Sequence, residues 1–309
     1  MTIKPEVSVI IPTHNRSSLV LRSVNSALKQ TLQNIEVIVA IDGDEPETRE
    51  ALLENQDQRL KILELSQNKG ASSARNQGVI NARSNWIAFL DDDDEWYPEK
   101  LENQLLAANQ VNRGYPIIAC RLQVYASGGT YILPRRLPRD AEPVGDYLFA
   151  RNSLFRGEGS IATSMLLTTK ELLLKHPFQE GLKRHQEADW LLRVSAYEQI
   201  ELQFVDAPLG VLHIESDGPR VSESGDWKYS LDWVQARRNL LTPKAYSAFL
   251  LTAVSSIAAR EKAWLAFWVI LREVMKSGRP SFVQCGLFFG MWFVPQTLRR
   301  FIRVKWLSR

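Results

Sequence analysis

Short apolar runs, each closed by a polar cluster, punctuate the first 110 residues. V-S-V-I-I (7–11) is rich in β-branched residues and stops at Pro12, as a buried strand does. I-E-V-I-V-A-I (35–41) ends in Asp42-Gly43-Asp44-Glu45-Pro46, which is strong turn chemistry. L-K-I-L-E-L (60–65) leads into a glycine-containing loop at 67–70, and W-I-A-F-L (86–90) runs into four aspartates, Asp91 to Asp94. Between these runs the spacing becomes helical. Leu19, Val20, Val24, Ala27 and Leu28 share a face within 17–30, with Ser17 or Ser18 as the cap. Further helices are predicted near 46–57, over 71–83, and from Pro98 to about Ala108, with proline in the first-turn position it tolerates.

Strand and helix alternating in this way predict an α/β fold built on a parallel, doubly wound sheet, with ligands beyond the carboxyl ends of its strands. The loops P-T-H-N-R, D-G-D-E and D-D-D-D-E each follow a strand, so such a sheet gathers them at one edge. The middle third is less regular. A strand is expected at 117–125, a loop-rich stretch at 134–160, and a strand at 164–169 followed by a helix from Lys170. A helix follows at 185–198, with Leu191, Val194 and Ser195 inward, then one or two strands within 202–213. The remainder reads as mainly helical.

The 309 residues are 45% hydrophobic and 24% charged, enough for a sizeable core. Cys120 and Cys285 are the only cysteines, so neither a disulfide framework nor a Cys-x-x-Cys zinc site is expected, and a reducing compartment is the default. The N-terminus lacks the apolar stretch and small-residue cleavage site of a signal peptide and reads as a cytosolic start. The net charge of +3 conceals an asymmetry. Residues 257–309 hold ten Lys/Arg against two acids, a net +8, which leaves residues 1–256 at −5. The apolar run 281–295 has only about fourteen residues, whereas a spanning helix needs roughly 20. With Trp264, Trp268, Trp292 and Trp306 among basic residues, it predicts helices lying at a membrane surface. The plainer alternative is an appendage packed on the main domain with its basic face in water.

Five segments together carry a resemblance. They are V-S-V-I-I-P-T-H-N-R (7–16), E-V-I-V-A-I-D-G-D (36–44), N-K-G-A-S-S-A-R-N-Q-G (68–78), W-I-A-F-L-D-D-D-D-E-W-Y-P-E-K-L (86–101) and H-Q-E-A-D-W-L-L-R (185–193). In this order and spacing the chain resembles the family 2 glycosyltransferases of the GT-A fold over about residues 5–220. The resemblance implies a mostly parallel sheet flanked by helices. It divides the chain into a GT-A domain over 1–227 (nucleotide-binding half 1–110, acceptor-binding half 111–227) and a basic helical extension over 228–309. It further implies an inverting transfer of sugar from a nucleotide diphosphate donor, a UDP-sugar being favoured, to a glycan or lipid-linked acceptor. A divalent cation, Mn2+ or Mg2+, would assist. Such members commonly build cell-surface polysaccharide, which suits a cytoplasmic enzyme at the inner face of the membrane. Nucleic acid is not expected as a partner, and oligomeric state is open.

The resemblance also distributes roles. Leu90 and Trp96 fix the register of an Asp-x-Asp-Asp pattern: Asp93 is the metal ligand, Asp91 faces the ribose or the metal, Asp92 fills the variable slot near the nucleotide, and Asp94 steadies the loop. Hard oxygen ligands suit a cation that offsets diphosphate charge. The competing reading of the acids is an N-terminal cluster favoured by the dipole of the following helix. Asp42 is placed to accept the imide N–H of a base, although the commoner form has two successive acids and Ile41 stands at the first. Pro12, Thr13, His14, Asn15 and Arg16 would line the base and ribose. Asn68, Gly70, Arg75 and Asn76 form the third segment, where Gly70 allows close backbone approach, Arg75 either reaches the nucleotide or braces the aspartate loop, and Asn76 reads equally as a capping or packing amide. Glu187 is the expected general base, with Asp189 the alternative. Trp190 packs either against an acceptor sugar or in the core, and Arg193 pairs with an acid or supports the donor. His213 is a further metal candidate, with Arg220 and Ser222 beyond it. A dinucleotide-dependent oxidoreductase would want G-x-G-x-x-G after the first strand, where P-T-H-N-R stands instead. A non-catalytic binding module would have lost its metal or base acids.

Overall fold

The structure is a computed structural model and describes residues 4–126, 129–153, 158–214 and 226–295. The chain forms two compact units, one of residues 1–133 and 161–216, the other of residues 134–160 and 217–309. The loop-rich stretch at 134–160, expected in the acceptor half of the main domain, thus belongs to the helical C-terminal unit.

The first unit holds nine strands, β1 (Val7–Thr13), β2 (Ile35–Asp42), β3 (Leu60–Leu65), β4 (Trp86–Phe89), β5 (Asp94–Trp96), β6 (Tyr115–Ala126), β7 (Gly129–Leu133), β8 (Leu167–Thr169) and β9 (Ile200–His213). Its helices are α1 (Ser17–Leu28), α2 (Pro46–Leu53), α3 (Ala71–Asn81), α4 (Lys100–Ala108), α6 (Lys170–Lys175) and α7 (Gln186–Tyr197), with α5 (Val144–Phe149) lying in the other unit. The sheet order is β3-β2-β1-β4-β8-β6-β9-β5, with β7 paired to β6. The first four strands are parallel, as their alternation with helices predicts. The sheet then turns mixed: β8 is antiparallel to both β4 and β6, β9 runs parallel to β6, and β5 antiparallel to β9.

Several elements depart from the pattern-based expectation. Arg16, not a serine, occupies the N-cap of α1, and no side chain caps it. Helix α4 begins two residues after Pro98. Residues 163–165 form a single 3₁₀ turn ahead of the short strand β8, and 200–213 form one long strand. Asp94 lies in β5, so the reading of the acids as a helix N-terminal cluster fails.

The sheet core is built from fully buried β-branched and aliphatic residues of the inner strands, among them Val9, Ile11, Val37 and Val39, which pack against Val20 and Val24 of α1. On the opposite face α3 lies close to β1. A Cβ on Gly78 would sit 2.4 Å from Cγ2 of Ile10, so only glycine permits this approach. Gly78→Ala should therefore destabilise the domain by about 1–3 kcal/mol, read as a lower denaturation midpoint at unchanged slope.

At the amino-terminal edge of the parallel strands sits Glu36, buried at 1% exposure. Its carboxylate accepts hydrogen bonds from Ser8 Oγ and Lys61 Nζ, each 2.5 Å, and from the Arg83 backbone and Nε at 2.6 and 3.0 Å. Burial pushes this acid up, but Lys61, Ser8 and Arg83 outweigh burial and hold it down at about 2. A carboxyl depressed in the folded state stabilises the fold above its ordinary value of 4.5, and that contribution disappears as pH falls toward about 2. Glu36→Gln should cost roughly 2–3 kcal/mol near neutral pH. In urea titrations its deficit against the parent should close across the same acid window.

The second unit is helical: α5, α8 (Trp227–Ala236), α9 (Pro243–Phe249), a π-helical turn at Leu250–Val254, α10 (Ser255–Arg260), α11 (Trp264–Ser277) and α12 (Phe282–Phe293). Phe149 of α5 meets Trp233 and Phe249 edge-on, which ties the 144–149 segment into the bundle. Thr242 Oγ1 donates to the Asp146 carboxylate at the start of α9. Among the described residues no helix is long and apolar enough to cross a membrane.

Candidate active site

Parallel pairing of β1, β2 and β4 brings the loops after these strands to one edge of the sheet. Side chains tie those loops together. His14 Nδ1 lies 2.6 Å from Glu45 Oε1 and its Nε2 lies 2.8 Å from Asn68 Nδ2, joining the first, second and third loops. Asn15, in the left-handed region at φ 54°, donates its backbone N–H to Glu45 Oε2 at 2.8 Å. Asp42 is buried, and its two oxygens accept the backbone N–H groups of Lys69 and Gly70 at 2.9 and 2.7 Å. A carboxylate has about four lone-pair sites, so these bonds use only part of its capacity. Gly70 has φ 89°, and nothing lies within 4 Å of where a Cβ would stand, so its backbone is open to a ligand. Pro12 and Thr13 are buried in β1, whereas His14 and Asn15 are exposed.

The four aspartates separate by side. Asp91 and Asp93 are part-exposed, with side chains 27% and 23% accessible, whereas Asp92 and Asp94 are buried. The buried pair turns to the protein. Asp92 accepts from Thr13 Oγ1 at 2.8 Å and Arg16 Nη1 at 2.9 Å. Asp94 accepts from Ser164 Oγ at 2.5 Å, and its Oδ1 has no partner. Asp92 therefore braces the β1 loop, and Asp94 is tied to the 163–165 turn. Burial pushes Asp92 up to about 6, against the pull of Arg16 and Thr13. Asp94 rises well above the usual carboxylate range through burial, reinforced by the charges of Asp91 and Asp93. Helix α1 adds support from below, where Arg22 Nη2 donates to the Asp93 carbonyl at 2.6 Å and Ser23 Oγ to the Asp94 carbonyl at 2.7 Å.

The outward pair is held by arginines. Arg16 Nη1 reaches Asp93 Oδ2 at 3.1 Å, and Arg75 Nη2 reaches Asp91 Oδ1 at 2.6 Å. Arg75 itself is buried at 4% exposure, lies 5.7 Å from the Phe178 ring centroid, and donates through Nη1 to Gln186 Oε1 at 2.8 Å. Burial lowers its affinity for a proton, but Asp91, Glu187 and Asp92 keep it firmly charged. Arg75 thus links the aspartate strand to the first residue of α7. It is a bracing residue here, rather than a side chain open to a nucleotide.

On α7 the two candidate bases part company. Glu187 is half-buried, and its Oε1 accepts from Thr163 Oγ1 at 3.0 Å. Asp189 is fully buried, and its Oδ2 accepts from Arg193 Nε at 2.9 Å one turn on, so it serves the helix and not an acceptor. Trp190 is also fully buried, stacks on Phe178 at 5.4 Å and donates its indole N–H to the His176 carbonyl. It is a core residue. Asn76 pairs its amide with both backbone groups of Phe178, each at 2.9 Å, and is structural.

His213, expected near the metal, has its Nε2 2.7 Å from Glu95 Oε1 and its ring stacked on Tyr125. Among the described residues no group of three or more His, Cys, Asp or Glu side chains is placed to hold a metal, so His213 does not join Asp91 and Asp93 in one ligand set. Arg220 and Ser222 lie outside the described residues. The donor set at Asp91 and Asp93 still fits a hard cation of the kind that keeps waters and is bound through one or two carboxylates plus substrate phosphates. Gln186, Ser164, Thr163 and Glu45 were not singled out from the sequence. Gln186 had a signal, since it precedes the base position in H-Q-E-A-D; Ser164 and Thr163 had none, because a 3₁₀ turn distant in sequence delivers them.

Known proteins resemble this chain. The family model for glycosyl transferase family 2 matches residues 8–173. The amylovoran biosynthesis glycosyltransferase AmsB of Erwinia amylovora is 29% identical over 256 residues, 77% of this chain and 82% of that protein. A shorter match, 42% identical over 99 residues, is to the UDP-Glc:alpha-D-GlcNAc-diphosphoundecaprenol beta-1,3-glucosyltransferase WfgD of Escherichia coli and spans 32% of this chain and 39% of that protein. Two solved structures share the fold at low identity. TarS 1–349 of S. aureus, in complex with UDP-GlcNAc, has a TM-score of 0.56 at 17% identity, covering 97% of this chain and 79% of that one. The mannosyltransferase PcManGT of Pyrobaculum calidifontis, in complex with GDP-Man and Mn2+, has a TM-score of 0.60 at 15% identity, covering 98% and 84%. With its α/β sheet of GT-A type and a family match over more than half its length, the chain belongs to glycosyl transferase family 2 and is a glycosyltransferase.

Proposed function

We propose that the protein transfers a sugar, with inversion, from a UDP-sugar to a hydroxyl of a lipid-linked or glycan acceptor in the assembly of a cell-surface polysaccharide. The carrying observation is the Arg75 bridge, which joins the strand end bearing Asp91 to the helix start bearing Glu187. Donor-side acids and a half-buried carboxylate are thereby parts of one site. The E. coli relative's name, with a UDP-glucose donor and a diphosphoundecaprenol acceptor, supports the donor and acceptor classes.

In this reading the uracil imide N–H donates to Asp42, whose bonds to Lys69 and Gly70 fix its position. The open backbone at Gly70 borders the nucleotide. Asp93, with Asp91, would hold a divalent cation. That cation supplies positive charge against the diphosphate, as manganese accompanies the donor in the PcManGT complex. Glu187 removes the proton of the acceptor hydroxyl as its oxygen attacks the anomeric carbon from the face opposite the diphosphate. The new glycosidic C–O bond forms while the bond from the anomeric carbon to the diphosphate oxygen breaks, and its electron pair leaves with the UDP. Thr163, donating to Glu187 Oε1, orients the carboxylate and leaves Oε2 for the substrate. Asp189 takes no part, because it is buried against Arg193. A binding module without catalysis would not need a half-buried carboxylate at this point.

UDP with Mn2+ should raise the unfolding midpoint, whereas GDP with Mn2+, or UDP with a chelator, should raise it much less. Protection by GDP and not by UDP would overturn the donor assignment. Asp93→Ala should lose the metal-dependent protection. Glu187→Gln should retain it yet slow transfer by about 10²–10⁴-fold, the usual contribution of a general base. Parental turnover by Glu187→Gln would remove that residue from the role.

A further inference from the structure

The helical C-terminal unit carries a surface that the transfer chemistry does not use. Helix α12 contains no charged residue, yet it is not buried: Phe282, Gly286, Phe289 and Phe293, spaced four, three and four apart, are exposed. Phe282 is 98% accessible and Phe293 61%. Helix α11 continues the surface with Trp264, Leu265, Trp268 and Met275, all exposed. Beneath this stripe the helices are well ordered by contact. Phe267 stacks on Phe288 at 4.9 Å, and Trp292 donates its indole N–H to Ser255 Oγ at 2.7 Å. The exposed aromatics are therefore displayed by a packed scaffold and are not residues of an unformed core.

An apolar cavity of about 350 Å³ lies within the same helices, lined by Leu251, Leu271, Met275, Cys285, Phe288 and Phe289. Met275 and Phe289 belong both to the cavity and to the exposed stripe. The volume is that of a small-ligand site, and its lining has almost nothing polar to offer. It suits a hydrocarbon chain.

Charge identifies the occupant. Arg272 and Lys276 on α11 and Arg279 just after it are exposed. From Val274 to the last residue the sequence holds seven Lys/Arg and no Asp or Glu. Two copies pressed together through this face would set like charges against each other. An anionic lipid surface complements them, with each basic side chain near such a surface worth about 1 kcal/mol.

We infer that the α11–α12 pair is a docking face for an anionic phospholipid bilayer: the Phe282–Phe293 stripe enters the headgroup boundary, Arg272, Lys276 and Arg279 meet lipid phosphates, and the cavity admits an acyl or prenyl chain. The inference rests on the reading of a lipid-linked acceptor for its purpose, but not for its test.

The full chain should cosediment with mixed vesicles of phosphatidylcholine and phosphatidylglycerol, weakly with phosphatidylcholine alone, and less as salt is raised. Phe282→Ser combined with Phe289→Ser should cut partitioning onto the mixed vesicles more than about tenfold, since two apolar side chains lose their burial. Charge reversal at Arg272 and Lys276 should remove the preference for the anionic lipid. Arg272 and Lys276 are exposed, so their variant should keep the parental unfolding midpoint. Phe289 also lines the cavity, so Phe282→Ser alone, at a 98% accessible side chain, should keep that midpoint and still weaken partitioning. Every variant should keep the parental protection by UDP and Mn2+. Absence of binding to the mixed vesicles would overturn the inference. So would equal partitioning of the phenylalanine variant, or a dimer seen by light scattering that the phenylalanine changes dissociate. Vesicle binding without any nucleotide protection would instead count against the proposed transfer and leave the docking face standing.

Discussion

Four adjacent carboxylates at the end of a buried strand are the constraint around which the first unit is organised. Left in one environment they would repel one another and resist folding. The chain separates them by side. Asp91 and Asp93 look outward and each meets an arginine, while Asp92 and Asp94 turn inward to hydroxyls. Burial then raises the proton affinity of the inward pair, which lessens the negative charge the loop must carry. In the structure the compensation already present comes from Arg16, Arg75 and burial, which leaves a hard cation as an addition to the outward pair and not a condition for the loop to exist.

Arg75 shows how one buried charge can organise two elements far apart in sequence. A guanidinium presents several donors in a fixed plane, so one side chain can hold Asp91 and Gln186 together. A lysine at this position would offer a single charged point and no comparable fork. The link fixes the start of α7 relative to the aspartate strand, and with it the half-buried Glu187. Phe178 closes over the same arginine and stacks on Trp190. Trp190, for which core packing was one of two readings, and Asn76 are thus part of the packing around Phe178 and Arg75.

The parallel part of the sheet was legible because period and punctuation agreed: β-branched runs ended at Pro12, Asp42 and Asp91, and helical spacing filled the gaps. The mixed part was less so. Strand β5 is three residues long, too short for any pattern to register, and β8 takes up only the last three residues of the strand expected at 164–169. The site followed the same division. The placement of Asp91 and Asp93 after a strand and of Glu187 at a helix start was readable because acids that follow an apolar run or open a helix stand out in the pattern. The burial of Asp189, the partnership of His213 with Glu95, and the membership of 134–160 in the helical unit depend on long-range contacts that composition does not encode.

The two ends of the parallel strands differ in how their buried acids are held. At the amino-terminal edge, Glu36 is buried with four donors on its two oxygens, and its proton affinity is depressed. Such an arrangement stabilises and does nothing else. At the carboxyl-terminal edge burial raises the proton affinities of Asp92 and Asp94, and Asp94 Oδ1, Arg75 Nε and Ser72 Oγ are buried with no partner among the described residues, each at a cost of about 1–3 kcal/mol. The groups at this edge that remain reachable from outside are the part-exposed Asp91 and Asp93, whose remaining lone pairs a charged ligand can complete.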